Sequence, residues 1–313
     1  MNFTTKISIS KSDFPIDYAS KIIAFGSCFA ENMGKKFDYF KFNTCTNPFG
    51  IIFNPISIEK LVSRAINQNQ YTEEDVFFHN ERWNCFEVHS DCSNSSKEEV
   101  LDNLNKILQL TAKQIKEATH ISITYGTSWV YRDKYSQALV ANCHKVQQSQ
   151  FDKEILSVTT IKQSIQNTID VIRQVNPNAT LLLTVSPVRH IKDGFVENQR
   201  SKAHLIAAIH DLSPETYHYF PSYEIIMDEL RDYRFYAEDM LHPSQIAIDY
   251  VWERFLETWI SESASITMKK VDSIQKGLSH KPFHVESVSH QKFLKELQEK
   301  MTQLHDEIPH IQF

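Results

Sequence analysis

Three short apolar runs constrain the fold of this chain more than any other feature. They are Ile22-Ile-Ala-Phe-Gly26, His120-Ile-Ser-Ile-Thr-Tyr-Gly126 and Ala179-Thr-Leu-Leu-Leu-Thr-Val185. Each has the length of a strand, and each stops at a short polar turn. Near-continuous apolar runs of this kind belong to strands covered on both faces. Helical spacing fills the gaps between them, over about 29–39, 55–66, 97–118, 159–175, 201–212 and 244–260. Strands that alternate with helices of this length predict a mainly parallel α/β sheet. Ligands of such sheets bind outside the carboxyl ends of the strands. The turns Gly26-Ser27-Cys28, Gly126-Thr127-Ser128 and Ser186-Pro187-Val188-Arg189-His190 should therefore share one rim.

Other segments are less regular. Residues 46–55 hold two Asn-Pro pairs and a glycine, so they read as a loop with a buried apolar part. Residues 129–157 lack a helical period and read as a hairpin or cap above the fold. The pairs Trp83/Phe86 and Tyr131/Tyr135 are expected in the core rather than on a carbohydrate platform. A strand is expected within 217–226. These features give a catalytic unit over 1–261 and a helical extension over 262–313. The last helix, about 286–306, carries an apolar stripe of Phe293, Leu294, Leu297, Met301 and Leu304. That stripe should pack back on the domain, with pairing to a second copy as the alternative.

Composition removes several function classes. With 313 residues and 41% hydrophobic content, the chain can bury a large core. Net charge is −6 and the basic residues are scattered, so no nucleic-acid partner is expected. Only 6 glycines occur, and no phosphate-loop pattern is among them. Five cysteines without a C-x-x-C pair argue against a disulfide framework and against a structural zinc site. The histidines lack metal-like spacing, so neither a metal nor another cofactor is expected. The first ten residues lack a long apolar segment, and no run approaches the ~20 residues that cross a bilayer. A cytoplasmic protein without membrane insertion is the resulting expectation.

Chemistry concentrates at two places. Ser27 and Cys28 stand at a strand-to-helix turn, where backbone N–H groups and the helix N-terminus favour developing negative charge. Either nucleophile needs a base, and the base needs an orienting group. Asp239 and His242 lie three apart just before a helix, spacing that lets the carboxylate reach Nδ1 while Nε2 faces outward. Pro243 would stiffen that loop. His190 ranks second as a base, with Asp193 as its nearest carboxylate.

Phe25-Gly-Ser-Cys-Phe-Ala30 spells the motif of the GSCFA domain family, which resembles a branch of the SGNH (GDSL-type) hydrolases. The likeness extends through Asn47-Pro-Phe-Gly50, Tyr125-Gly-Thr-Ser128, Asn142-Cys-His-Lys145, Ser186-Pro-Val-Arg-His190 and Asp239-Met-Leu-His-Pro-Ser244, over about residues 20–260. The resemblance implies a flavodoxin-like, three-layer α/β/α fold. It further implies an esterase or deacetylase-like acyl hydrolase, working through a covalent acyl-enzyme on a small or carbohydrate ester. An acyltransferase, or a binding module that kept the fold without turnover, are the alternatives. A gapless overlay on Gly-Asp-Ser puts Cys28 at the nucleophile position and Gly34 on a glycine usual in that family; a one-residue shift favours Ser27. The two stand level. For the oxyanion the resemblance points to a backbone N–H near Gly50 and to the Gly126–Ser128 turn, where the usual asparagine is missing. Ser128, Asn142 or Asn54 could replace it. His144 and Arg189 join His190 as substrate-binding candidates on the rim loops, Arg189 for an anionic group.

Overall fold

The structure is a computed structural model that describes residues 5–313, so the first four residues of the N-terminal stretch lie outside it. Its main sheet begins with β1 (Lys21–Gly26), which runs straight into α1 (Cys28–Tyr39). Then come β2 (Asn43–Thr46), α2 (Pro55–Ile66), a small hairpin of β3 (Phe77–His79) and β4 (Arg82–Asn84), and α3 (Lys97–Glu117). After β5 (His120–Tyr125) a separate antiparallel sheet is built from β6 (Trp129–Asp133), β7 (Leu139–Val140) and β8 (Phe151–Ile155). The main fold resumes with α4 (Val158–Val175), β9 (Thr180–Val185), α5 (Phe195–His210) and β10 (His218–Tyr219). It ends with a short α6 (Ser222–Glu224) continued by a π-turn at Ile225–Glu229, then α7 (Gln245–Trp259), α8 (Glu262–Ser279) and α9 (Val288–Glu307).

The main sheet has the order β10-β9-β5-β1-β2, and its pairs are parallel. Counted along the chain, that is the 2-1-3-4-5 order of a flavodoxin-like sheet, whose ligand site lies where the order reverses, between β1 and β5. Strand residues alternate between two cores. Ile23, Phe25, Ile121, Ile123, Leu181 and Leu183 face the helices α2 to α5. Ile22 and Leu182 face the opposite core, with Phe37, Trp252 and Phe255. Two covered faces make three layers, which is why these strands read as unbroken apolar runs.

Three regions differ from the sequence reading. Strand β2 was not marked by pattern, because Asn43-Thr-Cys-Thr46 is a partly exposed edge strand. The strand expected within 217–226 is β10, confined to His218 and Tyr219, and a helical turn follows it. An additional helix, α8, occupies the start of the polar C-terminal region; its Val271 and Ile274 are buried beside Leu297 and Leu304 of α9 in the second core. The stripe on α9 thus packs back onto the domain. Tyr135, expected in the core, is 87% exposed at the tip of the small sheet.

Candidate active site

The turn after β1 assigns different work to its two neighbours. Gly26 has φ +139°, and a Cβ there would sit 2.3 Å from the Thr124 carbonyl oxygen on β5. Only glycine permits that close approach. Ser27 follows as the N-cap of α1: its hydroxyl accepts the Phe29 N–H at 3.2 Å, its own N–H is given to the Thr124 carbonyl, and it is fully buried. Cys28 is the first residue of α1 and partly exposed. Burial pushes the Cys28 thiol up, and Glu31 adds to that; the backbone N–H groups of Cys28 and Phe29 and the charge of Lys202 pull it down.

On the loop before α7, His242 Nδ1–H donates to Asp239 Oδ2 at 2.6 Å. The other oxygen, Oδ1, accepts the backbone N–H groups of Leu241 (2.9 Å) and His242 (3.0 Å). These bonds hold the Asp239 carboxyl well below the usual range, at about 2. Both side chains are roughly half exposed, and His242 Nε2 has no hydrogen-bond partner among the described residues. The loop is tied to the turn after β9 by the Arg189 N–H on the Leu241 carbonyl (3.1 Å). The Arg189 guanidinium stacks over Tyr236 at 4.0 Å and Tyr233 at 5.0 Å, so it braces this loop from behind.

His190 lies on the same turn and is mostly buried, stacked on Phe53 at 5.2 Å. Burial, with the charges of Lys202 and His242, pushes it down to about 3, and its Nε2 is buried without a partner. Asp193 does not serve it; that carboxylate pairs with Lys153 of β8. His190, Phe53, Asn54, Thr127, Trp129 and Tyr131 line a cleft of about 230 Å³ between the rim and the small sheet.

The other rim candidates are engaged elsewhere. Gly50 N–H closes a turn on the Asn47 carbonyl at 2.7 Å, and Gly126 N–H is given to the Phe53 carbonyl at 2.7 Å. Ser128 is fully buried, with its hydroxyl on the Ser201 carbonyl at 2.8 Å. Asn54 caps α2 through the Ser57 N–H. Asn142 donates to the Ser90 hydroxyl and accepts the His144 N–H. His144 spends both ring nitrogens, on the Cys85 carbonyl (2.7 Å) and the Ser90 hydroxyl (3.1 Å), and burial lowers its pKa. These residues fasten the loops that frame the rim.

Sequence reasoning missed two polar groups. Asn47 Oδ1 accepts the Gly26 N–H at 2.8 Å, which fixes the turn, while Asn47 Nδ2 is buried with no partner. Lys202 of α5 is 1% exposed, and its ammonium donates to the Gly126 carbonyl (2.6 Å) and the Ser186 carbonyl (2.7 Å), bridging the turns after β5 and β9. Its signal was present: Lys202, Leu205 and Ile209 fall on one buried stripe of α5, an unusual place for a charge.

No group of acidic, histidine or cysteine residues suited to a metal ion occurs among the described residues, and no described helix is long and apolar enough to cross a membrane. The chain matches none of the curated proteins with which it was compared. The GSCFA family model matches residues 21–255, and the model of the GSCFA domain protein C-terminal domain matches residues 271–313. The first match takes in β1 and α1, the rim turns, the Asp239–His242 loop and most of α7, and by it the chain belongs to the GSCFA family.

Proposed function

We propose that this chain is an acyl hydrolase that works through a thioester on Cys28, with a small or carbohydrate ester as substrate. The observation that carries the reading is the oriented Asp239–His242 pair, whose free Nε2 belongs to the rim that also bears the partly open Cys28 thiol. Between the two candidate nucleophiles, burial favours Cys28. Ser27 is fully buried and would have to break the cap of α1 to react, whereas the Cys28 thiol is partly exposed in the first turn of α1.

The chemistry is an addition and elimination. The sulfur of Cys28 bonds to the ester carbonyl carbon, and the thiol proton passes to His242 Nε2. The C–O bond then breaks, and His242 returns the proton to the departing alkoxide. A water molecule next gives its proton to His242 and its oxygen to the thioester, releasing the acid and the thiol. Asp239, fixed by two backbone N–H groups, stabilises the imidazolium at each step. The Cys28 N–H, in the first turn of α1 without an intrahelical partner, is the nearest oxyanion donor. The cleft of about 230 Å³, which His190 lines but Cys28 and His242 do not, has room beside the rim for a small acyl or sugar group.

The spent donors at Gly50, Ser128 and Asn142 favour a second reading, a binding module without turnover. One experiment separates the two. The protein is quenched in acid during incubation with p-nitrophenyl acetate, digested and examined by mass spectrometry. An acetyl group on Cys28, absent in Cys28→Ala, supports the enzyme. Steady hydrolysis by Cys28→Ala at the wild-type rate, or no acylated residue and no turnover, overturns it.

A further inference from the structure

We propose that Lys202 is a buried cation that favours the Cys28 thiolate relative to the thiol, so that it acts as a positioning residue through the thiol and not on the substrate. The inference rests on the reading of Cys28 as the nucleophile. Three observations carry it.

The first is placement. Gly26 of β1 pairs with Thr124 of β5, so the residues that follow each strand, Cys28 and Gly126, emerge side by side at the point where the strand order reverses. Lys202 Nζ is bound to Gly126 and is therefore beneath that point. The second is hydrogen-bond arithmetic. An ammonium has three N–H donors. Two go to the Gly126 and Ser186 carbonyls, and the third has no partner among the described residues. A buried charge in that condition stabilises an anion beside it. The third is reciprocity. Burial pushes Lys202 down to about 7, and Cys28 is the group that pulls it back up; in return Lys202 pulls the thiol down against the burial that leaves it above its ordinary value. Proton loss from one therefore favours the proton on the other.

The groups facing this pair come from several elements. Glu31 of α1 opposes the thiolate, the Tyr223 ring lies 5.8 Å from Lys202 Nζ, and His190 feels the same ammonium.

The test is the pH dependence of Cys28 alkylation by iodoacetamide, followed by mass spectrometry at that residue in the full chain. A purely structural clamp would alter stability and leave this profile in place. Lys202→Met should shift the midpoint upward, so that alkylation at neutral pH slows by about tenfold, the factor expected for one pKa unit. Lys202→Arg should recover part of the rate, and Glu31→Gln should raise it above wild type. An unchanged profile in folded Lys202→Met overturns the proposal.

Should Lys202→Met fail to fold, the reciprocal measurement decides. The Lys202 Cε carbon is titrated by NMR in the wild type and in Cys28→Ala. A lower midpoint in Cys28→Ala supports the coupling; identical midpoints overturn it. Neither result depends on turnover, so loss of the hydrolase reading leaves a distinct trace: wild-type ester hydrolysis by Cys28→Ala.

Discussion

Two histidines on adjoining rim loops, linked through the Arg189 N–H and the Leu241 carbonyl, have opposite environments. His242 is half exposed and gives Nδ1–H to a carboxylate that two backbone N–H groups hold ionised. His190 is mostly buried against Phe53, has no carboxylate, and feels two neighbouring positive groups. The same side chain therefore has two characters. One is oriented by its carboxylate with Nε2 left without a partner among the described residues; the other stays neutral and helps shape the cleft. Proximity to a nucleophile does not make a base; the carboxylate and access to water do.

The largest expected effect lies on the His242 side. His242→Ala should lower kcat/KM for p-nitrophenyl acetate by about 10³-fold or more, and Asp239→Asn by about 10²–10⁴-fold, by analogy with triads of this logic. If His190→Phe lowers it as far while His242→Ala does not, the comparison is inverted. Next in size is stability at the turn. Ser27→Ala should cost about 1 kcal/mol in urea unfolding by loss of the α1 cap. It should leave acetylation at Cys28 in place; acetylation that disappears would return the nucleophile to Ser27.

Smaller effects appear in acid, with signs that follow from the pKa directions. His190 in the unfolded chain takes a proton near pH 6.5, but the folded chain resists it down to about 3. The unfolded state then binds more protons, so stability falls as pH drops from about 6.5 and levels off below about 3. His190→Phe should flatten that part of a urea-midpoint profile; an unaltered slope would mean the ring is not held neutral by burial. Asp239 has the opposite partner logic. Its contribution is present above the ordinary carboxylate value and is lost only as pH falls through about 2. Asp239→Asn should therefore be slightly less stable than wild type above the ordinary carboxylate value and converge with it as pH falls to about 2, a small effect for an exposed group.

The same contrast separates local from distant information. Asp239 and His242 were legible as a pair because the bond joins residues three apart, a matter of local turn geometry. The turn at 26–28 was legible because an apolar run must end where a polar turn begins. The candidates at Gly50, Ser128, Asn142 and His144 were legible as rim residues, but their bonding was not. Ser128 is tied to Ser201 and Asn142 to Ser90, partners 73 and 52 positions away. No local pattern records a partner at that separation.

The sequence by itself determined the α/β alternation, the main helices, the rim turns and the Asp239–His242 dyad. Hydrophobic periodicity and short-range hydrogen bonding are local properties. Only the tertiary structure decided that Ser27 is a buried cap and Cys28 the open neighbour. That difference depends on how β5 approaches Gly26 and how α1 leaves the sheet. Only the tertiary structure, too, turned Lys202 from one of 33 basic residues into a buried charge beneath the rim. Burial and electrostatic coupling are set by the elements packed around a side chain, and those come from distant parts of the chain.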